Sequence, residues 1–164
     1  MDLMLWLLWM ISFFVFGLFH ELGHILMSRI FFNDRDWVIE MGSGATIFSS
    51  RRLVINAWFF MPGKAVYSVH TGKKYQHILR AAGGFTVNVL FIALVFIFAI
   101  LFTVRERSMW WSNITVLIML VNVAFVVMTA IPIKYPSIFG AVSGMPSDGL
   151  TILRLIRSKS NSPS

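Results

Sequence analysis

The chain has 164 residues, enough for a single domain over 1–164, and 57% are hydrophobic against 13% charged. A soluble domain carries about a quarter charged residues, so that class is excluded, and sixteen Phe and six Trp point to a polytopic membrane protein. The net charge of +7 calls for no nucleic acid, since basic residues gathered on one side of a bilayer explain it; the absence of cysteine excludes disulfides and thiolate metal sites.

Three apolar runs, 3–32, 81–104 and 109–131, reach the about 20 residues that a bilayer-crossing helix needs. The first is too long for a cleavable signal peptide, and neither a basic region before it nor a small-x-small site after it marks one. Segment 33–80 reads as β-structure: "DWVIEM", "RRLVINAWFF" and "KAVYSVH" are rich in β-branched and aromatic residues, and "GSG" (42–44) and "PG" (62–63) are turn signals. A Pro/Gly/Ser-rich stretch, 132–149, and an amphipathic "LTILRLIR" follow the third run. The expected fold is an α-helical polytopic membrane protein. It has three core transmembrane helices, a small membrane-associated β-sheet or pair of hairpins between the first and second, a short C-terminal helix, and no accessory soluble domain.

Orientation follows from Lys and Arg. Segment 29–80 holds eight of the fourteen, the tail from Lys134 holds four, and the short turn at 105–107 holds two. Three spans put the long segment and the tail on one side, so the positive-inside rule makes that side cytoplasmic and places the N-terminus outside. Trp6, Trp9, Trp110 and Trp111 then form an aromatic belt near the outer surface, and the basic tail rests on anionic headgroups of the lipid bilayer.

"HELGH", residues 20–24, interrupts the first span near its cytoplasmic end. Positions i and i+4 share a helix face, so His20 and His24 are placed to bind one zinc ion. Glu21 is offset, within reach of a zinc-activated water but not a ligand, which is the placement of a general base. Gly23 allows another backbone to approach. Ionisable groups at membrane depth are costly, and interhelical hydrogen bonding alone is a weaker account of three of them.

A catalytic zinc takes a third protein ligand. Asp2 and Glu106 fall on the wrong face; Asp34, Asp36 and Glu40 lie just beyond the first span. Asp148 is on the correct side, although it is also placed to cap the helix that starts near Gly149. It is the leading candidate, with His70 and His77 as alternatives from the polar segment.

Taken together, these residues resemble the site-2 protease family of intramembrane zinc metalloproteases, over nearly the whole chain. "HELGH" is similar to the family's HExGH, 38–67 to its β-rich segment, "RAAGGFTVNVL" to its AGPxxN helix opening, and "AIPIKYPSIFGAVSGMPSDGL" to its NxxP…DG region. The resemblance implies a minimal form without a PDZ or CBS domain, zinc on His20, His24 and Asp148, Glu21 as base, and Asn88 holding substrate backbone or oxyanion, or else bonding between helices. It implies an endopeptidase cutting membrane-spanning or signal-peptide-like segments, unfolded as an added strand on a sheet edge, with a membrane partner to regulate it. Gly84 departs from the family's proline, Thr129 from its asparagine, and sixteen residues separate Pro132 from Asp148. Asn122 reads as structural, or as a substitute for the missing asparagine.

Two other readings remain. A membrane protease of the CAAX-processing type draws its third ligand from a downstream glutamate, which here is only Glu106. A non-catalytic membrane metal-binding or adaptor protein would have no use for Glu21.

Overall fold

The computed structural model describes residues 3–103 and 109–158, and side chains other than those of 102–112. Asp2, Glu106, Lys159 and the basic turn at 105–107 therefore lie outside the described residues, as do the side chains of Trp110 and Trp111. The chain runs α1 (Leu3–Phe32), β1 (Trp37–Met41), β2 (Ser43–Ser49), β3 (Leu53–Trp58), β4 (Lys64–Tyr67), α2 (Lys74–Thr103), α3 (Met109–Ala130), a 3-10 segment (Ser137–Val142) and α4 (Asp148–Arg157). Three of these helices are long and apolar enough to cross a membrane. Large apolar residues on their outer faces, such as Leu90, Leu94, Leu101 and Leu120, are exposed, as lipid-facing side chains are.

Helix α1 is the central element, packed on α2, α3, β1 and β4. On one side, Phe13 joins Val121 and Phe125 of α3. On the other, Ile25 joins Ile39 and Met41 of the sheet. Against α2 the contact is backbone on backbone: a Cβ at Gly23 would lie 2.4 Å from the Gly83 carbonyl oxygen. Only glycine at both positions lets the two helices come this close.

Helix α2 begins at Lys74, earlier than its apolar run at 81 suggests. Gln76 secures the added turns: its Oε1 accepts from the Lys73 backbone N–H (2.7 Å), and its Nε2 donates to the Phe31 carbonyl at the end of α1 (2.6 Å). A helix may start in polar sequence when its first N–H groups find partners, and apolar periodicity does not register those turns.

The sheet is mixed, in the order β2-β3-β1-β4, with β1 parallel to β3 and antiparallel to β4. It is not a pair of simple hairpins. The "GSG" turn signal lies partly inside β2, an exposed strand; the positive-φ Gly42 just before it turns the chain away from β1. Ile39 N–H bonds the Arg52 carbonyl on the β3 side. Alternation along β1 then directs Val38 and Glu40 at their β4 partners Val66 and Lys64, and Ala65 and Tyr67 present their backbone groups to the free edge.

Asp34 ties the sheet to the end of α1. It is 1% exposed and accepts from the Ser68 hydroxyl (2.6 Å), the Ser28 hydroxyl (3.3 Å) and the backbone N–H groups of Asp36, Ser68 and Val69. Burial alone would raise its carboxyl pKa, but these donors outweigh it and hold the group below its ordinary value.

Helix α3 ends before Pro132, which cannot continue it. The chain from there to Asp148 folds back on itself. Lys134 bridges Pro146, Tyr135 and Met145 are joined by a 2.9 Å bond, and Ser147 N–H bonds Ile133 O, also at 2.9 Å. Sixteen residues are thereby absorbed in a hairpin whose two ends meet, so the long spacing carries Asp148 no farther from α3.

Candidate metal centre

His20 and His24 stand one turn apart on α1, with their Nε2 atoms 3.2 Å from each other. Asp148, the first residue of α4, brings Oδ2 to 3.2 Å from His20 Nε2 and 3.4 Å from His24 Nε2. Ser147 takes the capping role that was open to Asp148: its hydroxyl accepts from Leu150 N–H (3.1 Å) and donates to Ile131 O (2.6 Å), tying α4 to the end of α3. Gly149 makes that seat possible, since a Cβ there would run into the Ala130 carbonyl. The carboxylate of Asp148 is thus free to face the histidines.

The second nitrogen of each imidazole is engaged. His20 Nδ1 lies 2.8 Å from Asn88 Oδ1, and His24 Nδ1 lies 2.8 Å from the Arg80 carbonyl oxygen. Both partners are oxygens that only accept, so each Nδ1 carries a proton, and in the neutral imidazole each Nε2 then presents a bare lone pair. Asp148 Oδ2 is buried, and among the described residues no hydrogen-bond partner is assigned to it. With both imidazoles neutral, three acceptors converge with no proton among them, an arrangement that a cation resolves and that is otherwise repulsive. His20, His24 and Asp148 could therefore hold a metal ion.

Gly84 of α2 lies directly against this group. A Cβ there would come within 2.5 Å of His20 Nε2 and 2.6 Å of His24 Nε2. Glycine at this position leaves room that the imidazoles occupy.

Glu21 lies beside the triad without joining it. Its carboxylate, buried on the α1 face, takes a hydrogen bond from the backbone of Ala65 on the free edge of β4. A cavity of about 320 Å³ opens here. The three ligand candidates and Glu21 line it, together with Lys64, Ala65 and Tyr67 of β4, Arg80 of α2, and Tyr135 of the hairpin. Burial and the nearby carboxylates push the Tyr67 and Tyr135 hydroxyls up, so both remain protonated hydrogen-bond donors.

Of the alternative ligands, His77 lines the cavity but has its Nδ1 3.1 Å from Arg80 Nη2, and His70 is exposed; neither joins the group. Asp34 is taken up in its own network, and Glu40 pairs with Lys64 at 2.9 Å. Asn88 is fully buried, and both ends of its amide are occupied, Oδ1 by His20 and Nδ2 by Asn122. The two cavity tyrosines and the Arg80 carbonyl escaped sequence reasoning. Nothing in their local sequence distinguishes a tyrosine facing a metal site from one facing solvent.

No family model, no curated protein and no solved structure matches the chain.

Proposed function

We propose that this protein is an intramembrane zinc endopeptidase of the site-2 protease type, cutting transmembrane or signal-peptide-like segments near the cytoplasmic face. The observation that carries the reading is Glu21. It stands next to three converging metal-ligand atoms, outside the ligand set, in a cavity bordered by a free strand edge.

Zinc is favoured by donor type and spacing. Two imidazoles and a carboxylate with an open fourth position make a zinc site of the catalytic kind. Bonds of about 2.0–2.1 Å in tetrahedral directions require ligand atoms about 3.3–3.4 Å apart, close to the 3.2, 3.2 and 3.4 Å edges of this triangle. Bound there, zinc supplies Lewis-acid polarisation of a carbonyl and a water acidified to a pKa near about 7.

The chain supplies the remaining chemistry. The edge of β4 accepts a substrate strand through the outward Ala65 carbonyl and Tyr67 backbone groups, the Ala65 N–H being held by Glu21, and this keeps the peptide extended beside Glu21. Glu21 takes the proton from the attacking water as its oxygen bonds to the scissile carbonyl carbon. It returns that proton to the amide nitrogen as the C–N bond breaks. Tyr135 is a protonated donor on the same cavity wall, available to the oxygen on which charge develops. The basic residues of 29–80 and of the tail share the side on which HELGH lies, so the positive-inside rule puts the site at the cytoplasmic surface, where water enters.

The test is Glu21→Gln in the full chain, with zinc content and cleavage of a membrane-spanning peptide both measured. The expected variant keeps its zinc and loses cleavage by about 10²-fold or more. A variant that cuts as well as the parent refutes Glu21 as base. A parent that binds zinc but cuts no peptide, including peptides with helix-breaking residues, leaves the non-catalytic metal-binding reading in its place.

A further inference from the structure

Behind His20, away from the cavity, three buried polar groups form an unbroken chain across the helices. Asn122 Nδ2 of α3 donates to the Ile118 carbonyl on its own helix, at 2.9 Å. A backbone carbonyl only accepts, so this contact decides which end of the Asn122 amide is which. Its Oδ1 therefore faces α2, where it accepts from Asn88 Nδ2 at 3.2 Å. That contact in turn presents Asn88 Oδ1 to His20 Nδ1 at 2.8 Å. Both asparagines are fully buried, and neither lines the cavity.

We propose that Asn122, two side chains removed from the metal triad, is a positioning residue that sets the His20 tautomer by fixing the direction of the Asn88 amide. The inference rests on the reading of His20, His24 and Asp148 as a metal centre, and not on the protease reading. An asparagine amide is nearly symmetric in shape, so Asn88 alone would fit as well turned by half a revolution. It would then offer Nδ2 to His20, whose Nδ1 would have to accept and whose proton would move to Nε2. A protonated Nε2 cannot bind a metal. The Ile118 carbonyl excludes this state, because reversing Asn88 would set its Oδ1 against Asn122 Oδ1. A fixed backbone acceptor at one end of the chain thus determines a lone pair at the other.

A bland role competes with this one, since buried asparagines also join helices within a bilayer. A double-mutant cycle separates the two. The Asn88→Asp variant carries a carboxylate there, so His20 meets an acceptor whichever way the group turns; its second oxygen opposes Asn122 Oδ1, a clash that Asn122→Leu removes. The full chain is purified in detergent as parent, Asn122→Leu, Asn88→Asp and the double variant, and Zn²⁺ affinity is measured by competition with a chelator. In the parent background Asn122→Leu is expected to weaken zinc by about 10–100-fold, the range of an outer-shell partner. In the Asn88→Asp background the same change should cost no more than about 2-fold, as for uncoupled sites. An equal loss in both backgrounds, or no loss in the parent, assigns Asn122 to helix packing and overturns the proposal. If Asn122→Leu does not fold, Asn122→Ser takes its place in the same cycle. Peptide cleavage is not read, so a parent that binds zinc and cuts nothing defeats the protease reading alone.

Discussion

Replacing Gly23 with alanine tests whether the metal site depends on the contact between α1 and α2. The added Cβ would lie 2.4 Å from the Gly83 carbonyl oxygen, 2.8 Å from Gly83 C and 2.8 Å from Val87 Cγ2. Ordinary contact begins at 3.4 Å, so the helices must part by 3.4 − 2.4, or about 1 Å. The oxygen belongs to a helix backbone and cannot swing aside. Both hydrogen bonds that orient the ligands cross this same interface, Asn88 to His20 and Arg80 O to His24, each at 2.8 Å. Parted by that distance they reach about 3.8 Å and no longer count as bonds. Overpacking costs about 1–3 kcal/mol, and each buried hydrogen bond lost adds about 1 kcal/mol. The loss of two outer-shell partners should also weaken metal binding by at least about 10-fold. The assay is chelator competition for Zn²⁺ together with thermal unfolding of the detergent-solubilised chain. An unchanged unfolding midpoint with parental zinc affinity would refute the reasoning, because it would mean that the helices have slack this packing does not contain.

Two further predictions concern carboxylates. Asp148→Asn should weaken zinc by more than the roughly 10–100-fold typical of an outer-shell partner. The metal-free variant should nonetheless unfold no earlier than the parent, since an amide N–H can donate to the bare imidazole nitrogens; calorimetry with and without chelator checks both. Asp34→Asn should cost about 3 kcal/mol at neutral pH, because the five donors around the carboxylate would face a neutral group with an N–H of its own. Its pH dependence has a definite sign. The folded pKa is depressed, so Asp34 stabilises fully above the unfolded value of about 3.9, and that contribution drains away as pH falls through the lower folded value. Denaturant titrations of parent and variant should therefore converge at acid pH, and parallel curves would exclude this role for Asp34.

The ligand pair was legible because it is local: four residues on one helix return to the same face whatever surrounds them, so "HELGH" defines two imidazoles and an offset carboxylate from the sequence alone. The three long apolar runs were legible for a similar reason, since solvation of a helix surface depends on composition. Segment 33–80 was only partly so. Its β character follows from residue type, but the parallel pairing of β1 with β3 and the strand formed by 43–49 depend on which edges meet, and that is not encoded within any one strand.

Local sequence alone places a pair of histidines, spaced to share a metal ion, in a long apolar helix, with few carboxylates available to complete the set. Tertiary structure alone decided that Asp148 is the one that arrives. A hairpin returns the chain to the end of α3, Ser147 takes the cap, and Gly149 lets α4 seat against Ala130. The fold also sets an acceptor against each Nδ1, through Asn88 and the Arg80 carbonyl on a neighbouring helix. The physical reason is range. Helical phase is set by the nearest four residues, whereas a triangle of ligand atoms held at 3.2–3.4 Å requires three separate segments to be fixed in register. Only packing across helices supplies that.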